Sequence, residues 1–203
     1  MVLVNKTINI DRDLAIVMGD RLRLLYKGRE IVIDPPNIII DGSIYPVMPY
    51  EEKIGRLSYL GISRTMQVAK IIADALMKCP YTNNLTPDDV IHCPERFYVV
   101  YRFYEGFDFV DVIAFGAIRM RTGQIMHLYT FPQYRRKGYM KRLIKHMVEV
   151  YKKERDGKTV FMWVKKDNYV MHSFCKKYGF KAEKEKDSAV KYVIDVDALL
   201  SRL

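Results

Sequence analysis

The sequence predicts an α+β fold, in which a mixed, mostly antiparallel sheet is flanked by helices and preceded by a β-rich N-terminal extension. Three observations lead to this prediction. Strand-like segments between residues 97 and 131 are separated by short turn signals, as in antiparallel hairpins. Strand and helix patterns then alternate to the end of the chain. The first 50 residues contain only short strand-like runs, which are punctuated by Pro35, Pro36, Pro46 and Pro49.

The N-terminal extension is predicted from four apolar or alternating runs, VLVNKTINI, RLRLLY, EIVI and NIII, with turn signals such as DPP and DG between them. A boundary close to Pro49 divides the chain into an extension at 1–48 and a main domain at 49–203. We expect the strands of the extension to pair either with the edge of the main sheet or with a second copy of the chain in a homodimer.

The main domain opens with a predicted helical stretch that breaks near Gly61 and restarts with Ser63 as its N-cap. Apolar residues recur at helical spacing in the second part, at Met66, Ala69, Ile72, Ala73 and Leu76. Three strands follow, FYVVYRFYEG, VDVIAFGAIRMRTG and QIMHLYTF, whose aromatic and β-branched content is typical of sheets. In the third, alternation predicts that His127, Tyr129 and Phe131 share one face and that Met126, Leu128 and Thr130 share the other.

An amphipathic helix is predicted after the third strand. Its apolar residues form one stripe, made of Met140, Leu143, Ile144, Met147, Val148 and Tyr151. DGK ends this helix, and TVFMWV is predicted as a buried strand. YVMHSFCKKY then forms a short helix with Gly179 as its C-cap residue, and AVKYVIDV is the last strand.

The composition of the chain restricts its class. Its 203 residues are 49% hydrophobic and 12% aromatic, which supports a packed core rather than disorder. No apolar run reaches membrane-spanning length, and the N-terminus does not resemble a secretory signal. Cys79, Cys93 and Cys175 fit no CxxC spacing, which argues against a disulfide framework or a zinc site. The expectation is a cytoplasmic protein that needs neither a membrane nor a metal.

The net charge of +10 is concentrated in one segment. Residues 133–186 contain 17 Lys and Arg against 6 Asp and Glu, whereas residues 1–132 contain 15 of each. A segment of this kind attracts polyanions, such as a nucleotide cofactor or RNA. Six aromatic residues are interleaved with the cations and suit stacking on single-stranded bases: Tyr134, Tyr139, Tyr151, Trp163, Tyr169 and Tyr178. The alternative is an ordinary solvated face.

The stretch FPQYRRKGYMKRL joins the third strand to the amphipathic helix. The first N–H groups of a helix have no intrahelical partners, and they lie at the positive end of the helix dipole. A cationic turn that contains a glycine at this point favours the binding of an anion. The spacing matches neither GxxxxGK(S/T) nor GxGxxG, so a Walker site is excluded and a dinucleotide fold is unsupported.

This stretch resembles the acyl-CoA-binding motif of the GNAT superfamily of N-acetyltransferases, Q/R-x-x-G-x-G/A, which reads RRKGYM here. A second block, KKDNYVMHSFCKKYGF, is similar to the Asn-containing segment of that family, with Asn168, Gly179 and Phe180 at the expected separations. The resemblance is strongest over residues 124–180. It implies a GNAT-like sheet and an acyl-CoA-dependent N-acyltransferase.

The activity implied by the resemblance is direct transfer of an acetyl group from acetyl-CoA to the primary amine of a small molecule or protein. The acceptor site would be built from residues 50–96, which contain no motif that identifies the acceptor. Two alternatives remain: a basic RNA-binding or catalytically degenerate member of the fold, and a scaffold whose first 50 residues bind a partner.

The resemblance also implies a set of cofactor contacts. Backbone N–H groups of residues 136–140 would bind the CoA pyrophosphate, and two strands that splay apart would hold the pantetheine arm between them. The residues implied are Leu128, Thr130, Arg135, Arg136, Lys137, Gly138, Tyr139, Met140 and Asn168. Met140 replaces the small last residue of the motif, but its side chain is expected to point into the core and leave pyrophosphate binding intact.

For the catalytic groups, alternatives stay open. Many family members carry a tyrosine four residues before the glycine of the second block, where it protonates the leaving thiolate, and this chain has Cys175 there. The thiol of Cys175 is either that proton donor or a small buried hydrophobe, and Tyr178 is an alternative donor. His127 is either the general base or a histidine satisfied by a hydrogen bond in the sheet. Glu105, Asp108 and ordered water are rival bases.

Overall fold

The computed structural model describes residues 52–81, 84–93, 95–103 and 110–203, and the backbone of six strands between residues 6 and 46. These six strands form a sheet in which each pairs antiparallel with the next. Their bounds are β1 Lys6–Ile10, β2 Asp13–Met18, β3 Arg21–Tyr26, β4 Arg29–Asp34, β5 Asn37–Ile40 and β6 Ser43–Pro46. The predicted β-rich character of this region is confirmed, and β2 and β6 are two additional strands that the prediction omitted. The domain boundary at 48/49 lies outside the described residues.

A second sheet forms the centre of the main domain, with the strand order β12-β13-β11-β10-β9-β8-β7. Its strands are β7 Glu52–Arg56, β8 Arg96–Phe103, β9 Val110–Arg119, β10 Gln124–Thr130, β11 Thr159–Lys165, β12 Lys181–Glu185 and β13 Ala189–Asp195. All neighbours pair antiparallel except β10 and β11, which are parallel. The predicted mixed, mostly antiparallel sheet with flanking helices is therefore confirmed.

Five helices accompany this sheet in the described part of the chain: α1 Ile62–Met77, α2 Pro87–His92, α3 Tyr139–Arg155, α4 Tyr169–Tyr178 and α5 Val196–Arg202. Both α1 and α3 contact β9, whose residues 110–117 are buried throughout because both faces of the sheet are covered. The predicted stripe of α3 is buried from Leu143 to Tyr151, while Met140 is partly buried against the core. None of the described helices has the length and the hydrophobicity to span a bilayer.

Two sequence-based assignments need correction. The stretch before Gly61 is not helical, because β7 pairs there with β8 and a 3₁₀ turn follows at Leu57–Tyr59. The N-cap of α1 is Gly61 and not Ser63. The prediction also omitted β12, α5 and α2. The last of these begins with a readable signal, since Thr86 and Asp89 form a capping box around Pro87.

Candidate active site

The parallel strands β10 and β11 separate at the centre of the main sheet. Gln124 pairs with Phe161, whose N–H donates to the carbonyl of Gly123 at 3.2 Å, and the ladder between the two strands ends there. Farther along, β10 stays paired with β9 as far as Thr130, and β11 stays paired with β13 as far as Lys165. The strands therefore open into a wedge whose two sides carry backbone groups that are free of the β10–β11 ladder. This is the splayed arrangement that the resemblance implied.

A bulge lies on the β10 side of the wedge. The register with β9 shifts between Met126 and Tyr129, so that His127 and Leu128 stand opposite the single residue Gly116. His127 has a φ of 55°, which is uncommon for a residue with a side chain. Bulges of this kind interrupt a ladder and turn local backbone groups away from it. The bulge thus gives β10 backbone groups that a ligand in the wedge can use.

The side chain of His127 is largely buried and stacks on the ring of Phe97, with 5.6 Å between ring centroids. Burial lowers its pKa below the ordinary value of 6.5, so the imidazole is neutral at pH 7. Among the described residues, its Nδ1 has no hydrogen-bond partner. At Nδ1, the structure therefore does not support the alternative, in which a hydrogen bond within the sheet satisfies His127. The rival bases Glu105 and Asp108 lie outside the described residues.

Leu128 projects to the other face of the sheet, where it closes over Gly116 beside the α3 residues Leu143 and Met147. Tyr129 stacks on Phe115 at 5.4 Å and meets Phe131 edge-on at 5.3 Å. These contacts agree with the predicted faces for His127, Tyr129 and Leu128. The Leu128 side chain belongs to the core, so a role in cofactor binding falls to its backbone.

Residues 135–138, which we call the RRKG turn, connect the end of β10 to α3. All four are exposed, and they are flanked by the buried residues Tyr134 and Tyr139. Arg136 and Gly138 both have positive φ, of 65° and 83°. Gly138 is the N-cap of α3, and its carbonyl accepts the first helical hydrogen bond, from Arg142. The turn therefore presents the positive end of a 17-residue helix to solvent.

The side chain of Arg135 is tied to the strand. Its Nε donates to the carbonyl of Thr130 at 3.1 Å, and its guanidinium lies over the ring of Tyr129. Thr130 was predicted to bind the pantetheine arm through its backbone. Its carbonyl oxygen already accepts the hydrogen bond from Arg135. A carbonyl oxygen has two lone pairs, so it can still accept a second hydrogen bond.

A polar network that the sequence analysis missed lies behind the RRKG turn. The carboxylate of Glu52, on β7, accepts from Arg102, from Arg142 and from the hydroxyl of Tyr139. Burial by itself would raise the pKa of Glu52, but these hydrogen bonds outweigh it and hold the pKa below its usual range. Glu52 and Arg102 stand directly opposite each other on β7 and β8, but they are 50 residues apart in the sequence, so this pairing could be predicted only with knowledge of the register.

On the β11 side of the wedge, Asn168 is the N-cap of α4. Its Oδ1 accepts from the N–H of Met171 at 3.2 Å, so this oxygen has a structural role and the amide NH₂ is the group left for a ligand. The loop after α1 lies against the same region, because Lys165 donates to the carbonyl of Pro80 at 2.8 Å. The connection between α1 and α2 therefore contacts the end of β11 through Pro80.

Cys175 is fully buried on α4, with its Sγ 3.5 Å from the Sδ of Met162. Burial raises the pKa of this thiol to about 12, which makes it a weak proton donor near neutral pH. The geometry therefore favours the second of the two roles considered for Cys175, a packing residue. Tyr178 is partly exposed, its ring lies tilted at 42° to that of Phe174 with 4.5 Å between ring centroids, and it remains a candidate donor.

Comparison with known proteins places these features in a family. The model of the acetyltransferase (GNAT) family matches residues 69–180, which is more than half of the chain. No curated protein matches.

Solved structures share the fold at low sequence identity. The ribosomal-protein-S18-alanine N-acetyltransferase of Escherichia coli is 14% identical, with a TM-score of 0.52 over 72% of this chain and 94% of that protein. The spermidine N-acetyltransferase of Vibrio cholerae, solved as a dodecamer, is 13% identical, with a TM-score of 0.53 over 74% and 97%. The PaiA N-acetyltransferase of Thermoplasma acidophilum, in complex with coenzyme A, is 24% identical over 49% of this chain and 59% of that one, with a TM-score of 0.42. The chain thus spans less than two thirds of this last protein.

Proposed function

The chain belongs to the GNAT acetyltransferase family, a family of enzymes, and from that premise we propose that it transfers an acetyl group from acetyl-CoA to a primary amine. The observation that carries the proposal is the RRKG turn. It combines a glycine N-cap in the left-handed conformation with the exposed N-terminus of α3, directly after the strand that borders the wedge. Helix N-termini of this kind bind phosphate groups.

The cofactor contacts follow from this arrangement. The N–H groups of residues 136–140 would bind the pyrophosphate, and the exposed side chains of Arg136 and Lys137 would add charge. The pantetheine arm would lie in the wedge, between the backbone of Leu128 and Thr130 on one side and the amide of Asn168 on the other. Met140 is partly buried and leaves the turn itself open.

The proposed reaction is a direct attack of the neutral amine on the thioester carbonyl. The C–N bond would form first and give a tetrahedral intermediate, whose oxyanion a backbone N–H at the β10 bulge would stabilise. Collapse of this intermediate would re-form the carbonyl and break the C–S bond, with CoA as the leaving thiolate. The neutral imidazole of His127 is the candidate base for the amine proton, with ordered water as the alternative. Tyr178 is the candidate donor to the leaving thiolate, because the thiol of Cys175 is buried.

Thermal unfolding with and without acetyl-CoA tests the cofactor assignment, and mass spectrometry of the purified protein tests for a co-purified CoA species. Acetyl-CoA should raise the midpoint of unfolding. An acetylation screen over amines, peptides and aminoacyl-tRNA would then identify the acceptor. A midpoint that does not move at millimolar acetyl-CoA would exclude the proposed donor.

RNA binding is the second candidate, and the basic charge of residues 133–186 is the observation that favours it. The aromatic argument is weaker than the sequence suggested, because Tyr134, Tyr139 and Tyr151 are buried in the core. Tyr169, which is 76% exposed, is free to stack on a base. Binding to tRNA or single strands should weaken steeply with salt if phosphates are the ligands, and an affinity independent of salt would contradict this candidate.

We also propose that residues 1–48 form a unit distinct from the acetyltransferase domain at 49–203 and that they mediate self-association. The support is their own antiparallel sheet, whose edge strands β1 and β6 are suited to pairing with another strand. Light scattering of the chain with and without these residues tests the proposal. A monomer in both cases would contradict it.

A further inference from the structure

Two buried tyrosines bracket the exposed RRKG turn, and the hydroxyl of each donates to a carboxylate. The hydroxyl of Tyr134 donates to Asp111 on β9, at 3.0 and 2.8 Å to its two oxygens. The hydroxyl of Tyr139 donates to Oε2 of Glu52 on β7, at 2.8 Å. The two rings meet edge-on, with 6.1 Å between their centroids. The turn is thus held at both ends by hydrogen bonds to the sheet.

Glu52 is the centre of the contacts at the second end. Its Oε2 also accepts from the guanidinium of Arg102, at 2.6 Å, and its Oε1 accepts from Arg142, at 2.6 Å. Arg102 donates in addition to the hydroxyl of Tyr139, at 2.9 Å. One carboxylate therefore joins β7 and β8 to the first turn of α3.

By its charge alone, the carboxylate of Glu52 would weaken the binding of an anion at the RRKG turn. A negative charge close to an anion-binding turn repels the anion unless cations compensate it. Here the charges of Arg102 and Arg142 exceed that of Glu52 by one. The side chain of Glu52 is also only 21% exposed, and both of its oxygens already accept hydrogen bonds from side chains of the protein. Its contacts are those of a group that fixes the geometry of the turn.

We propose that Glu52 is a positioning residue that holds the RRKG turn, through the hydroxyl of Tyr139, in the conformation that receives the diphosphate of acyl-CoA. This inference deepens the proposed function and rests on it. The negative charge of Glu52 raises affinity for an anionic ligand because the fixed orientation of the N–H groups outweighs the added repulsion.

The chain provides a matched control at the other end of α3. Arg96 on β8 forms an ion pair with Glu154 on α3, which are two of the three elements that the Glu52 network joins. Glu154 lies 15 residues along the helix from Tyr139 and far from the turn. Substitution of Glu154→Gln removes an equivalent charge pair without affecting the anchoring of the turn.

The test compares Glu52→Gln, Tyr139→Phe and Glu154→Gln with the unmodified protein. Calorimetry gives the Kd for coenzyme A, thermal unfolding gives stability, and the ¹H–¹⁵N spectrum without ligand gives the amide shifts of residues 136–140. We expect Glu52→Gln and Tyr139→Phe each to weaken CoA binding by roughly tenfold and to shift those amides. Glu154→Gln should leave both readouts unchanged.

Tyr139→Phe removes one oxygen atom and keeps the ring in the core, so it preserves the test if Glu52→Gln does not fold. Equal CoA affinity for Glu52→Gln and Glu154→Gln, or tighter binding by Glu52→Gln, would overturn the proposal. If the unmodified protein does not bind CoA, the proposed function fails. In that case the spectra without ligand still test whether the Glu52 network orders the turn. If neither Glu52→Gln nor Tyr139→Phe changes the amide chemical shifts of residues 136–140, the proposal is contradicted.

Discussion

The thiol of Cys175 lies against the thioether of Met162, with 3.5 Å between the sulfur atoms, and both residues belong to the core. The contact joins α4 to β11, the strand on the far side of the wedge. A tyrosine is common in the family at the position of Cys175. In this chain a small side chain fills the position and packs inward, which favours a packing role for Cys175 over the role of proton donor in the proposed reaction.

Substitution of Cys175→Ala should therefore cost stability and leave catalysis intact. We expect a loss of about 1 kcal/mol in the free energy of unfolding and a change in the rate of CoA release below about threefold. Cys175→Ser should lose more stability, because it buries a hydroxyl. A fall in rate of about a hundredfold or more in a folded Cys175→Ala protein would instead identify the thiol as the general acid.

Gly138 should be essential for cofactor binding because of its backbone conformation and its position. A Cβ built on Gly138 has no atom within 4 Å, so the expected cost of Gly138→Ala is strain at a φ of 83°, about 1 kcal/mol. Gly138→Asp adds a charge that repels the pyrophosphate, and it should abolish the thermal shift caused by acetyl-CoA.

Gly61 is a control for the general cost of an aspartate at a glycine N-cap. It is the N-cap of α1, has a φ of 86° and has equally open space around its Cβ position, but its ψ of 158° lies outside the left-handed helical region that Gly138 occupies. The backbone strain is therefore expected to be at least as large at Gly61. Gly61→Asp introduces the same residue at a strained N-cap and should keep the acetyl-CoA shift. Loss of the shift in both variants would mean that general destabilisation, and not repulsion at the RRKG turn, explains the result.

The imidazole of His127 should titrate below 6.5. Burial disfavours its charged form, so its folded pKa is lower than that of the unfolded chain. As the pH falls below 6.5, the unfolded chain takes up a proton at His127 before the folded protein does. The free energy of unfolding therefore decreases as the pH falls, until the pH reaches the folded pKa. Long-range ¹H–¹⁵N spectra report each histidine separately and give the midpoint directly. A midpoint at or above 6.5 for His127 would contradict the expected lowering of its pKa by burial.

Substitution of Tyr134→Phe should destabilise the protein. It removes the hydroxyl that donates to the carboxylate of Asp111, a residue that is only 2% exposed. A loss of about 1–3 kcal/mol in the free energy of unfolding is expected, measured in urea. Tyr169→Phe, at an exposed position, is the control and should change little. A Tyr134→Phe protein as stable as this control would show that the bonds to Asp111 contribute nothing net.

Much of the fold could be read from local patterns. The stripe of α3 and the C-cap at Gly179 are periodic or conformational signals within one segment, and both are present. By contrast, β12 is exposed along its length and has no apolar pattern, and it forms only because β13 offers it an edge. The β7 segment was wrongly predicted as helix because its strand structure depends on pairing with β8, and the paired residues are more than 40 positions apart in the sequence.

The sequence by itself determined the family, the order of the main elements and the RRKG turn, because each depends on neighbours along the chain. Only the tertiary structure decided which side chains meet. It brought Glu52 to Tyr139, put Cys175 in the core and left the Nδ1 of His127 without a partner among the described residues. Burial and hydrogen bonding between distant residues depend on strand register and helix packing, and these arise when the whole domain assembles.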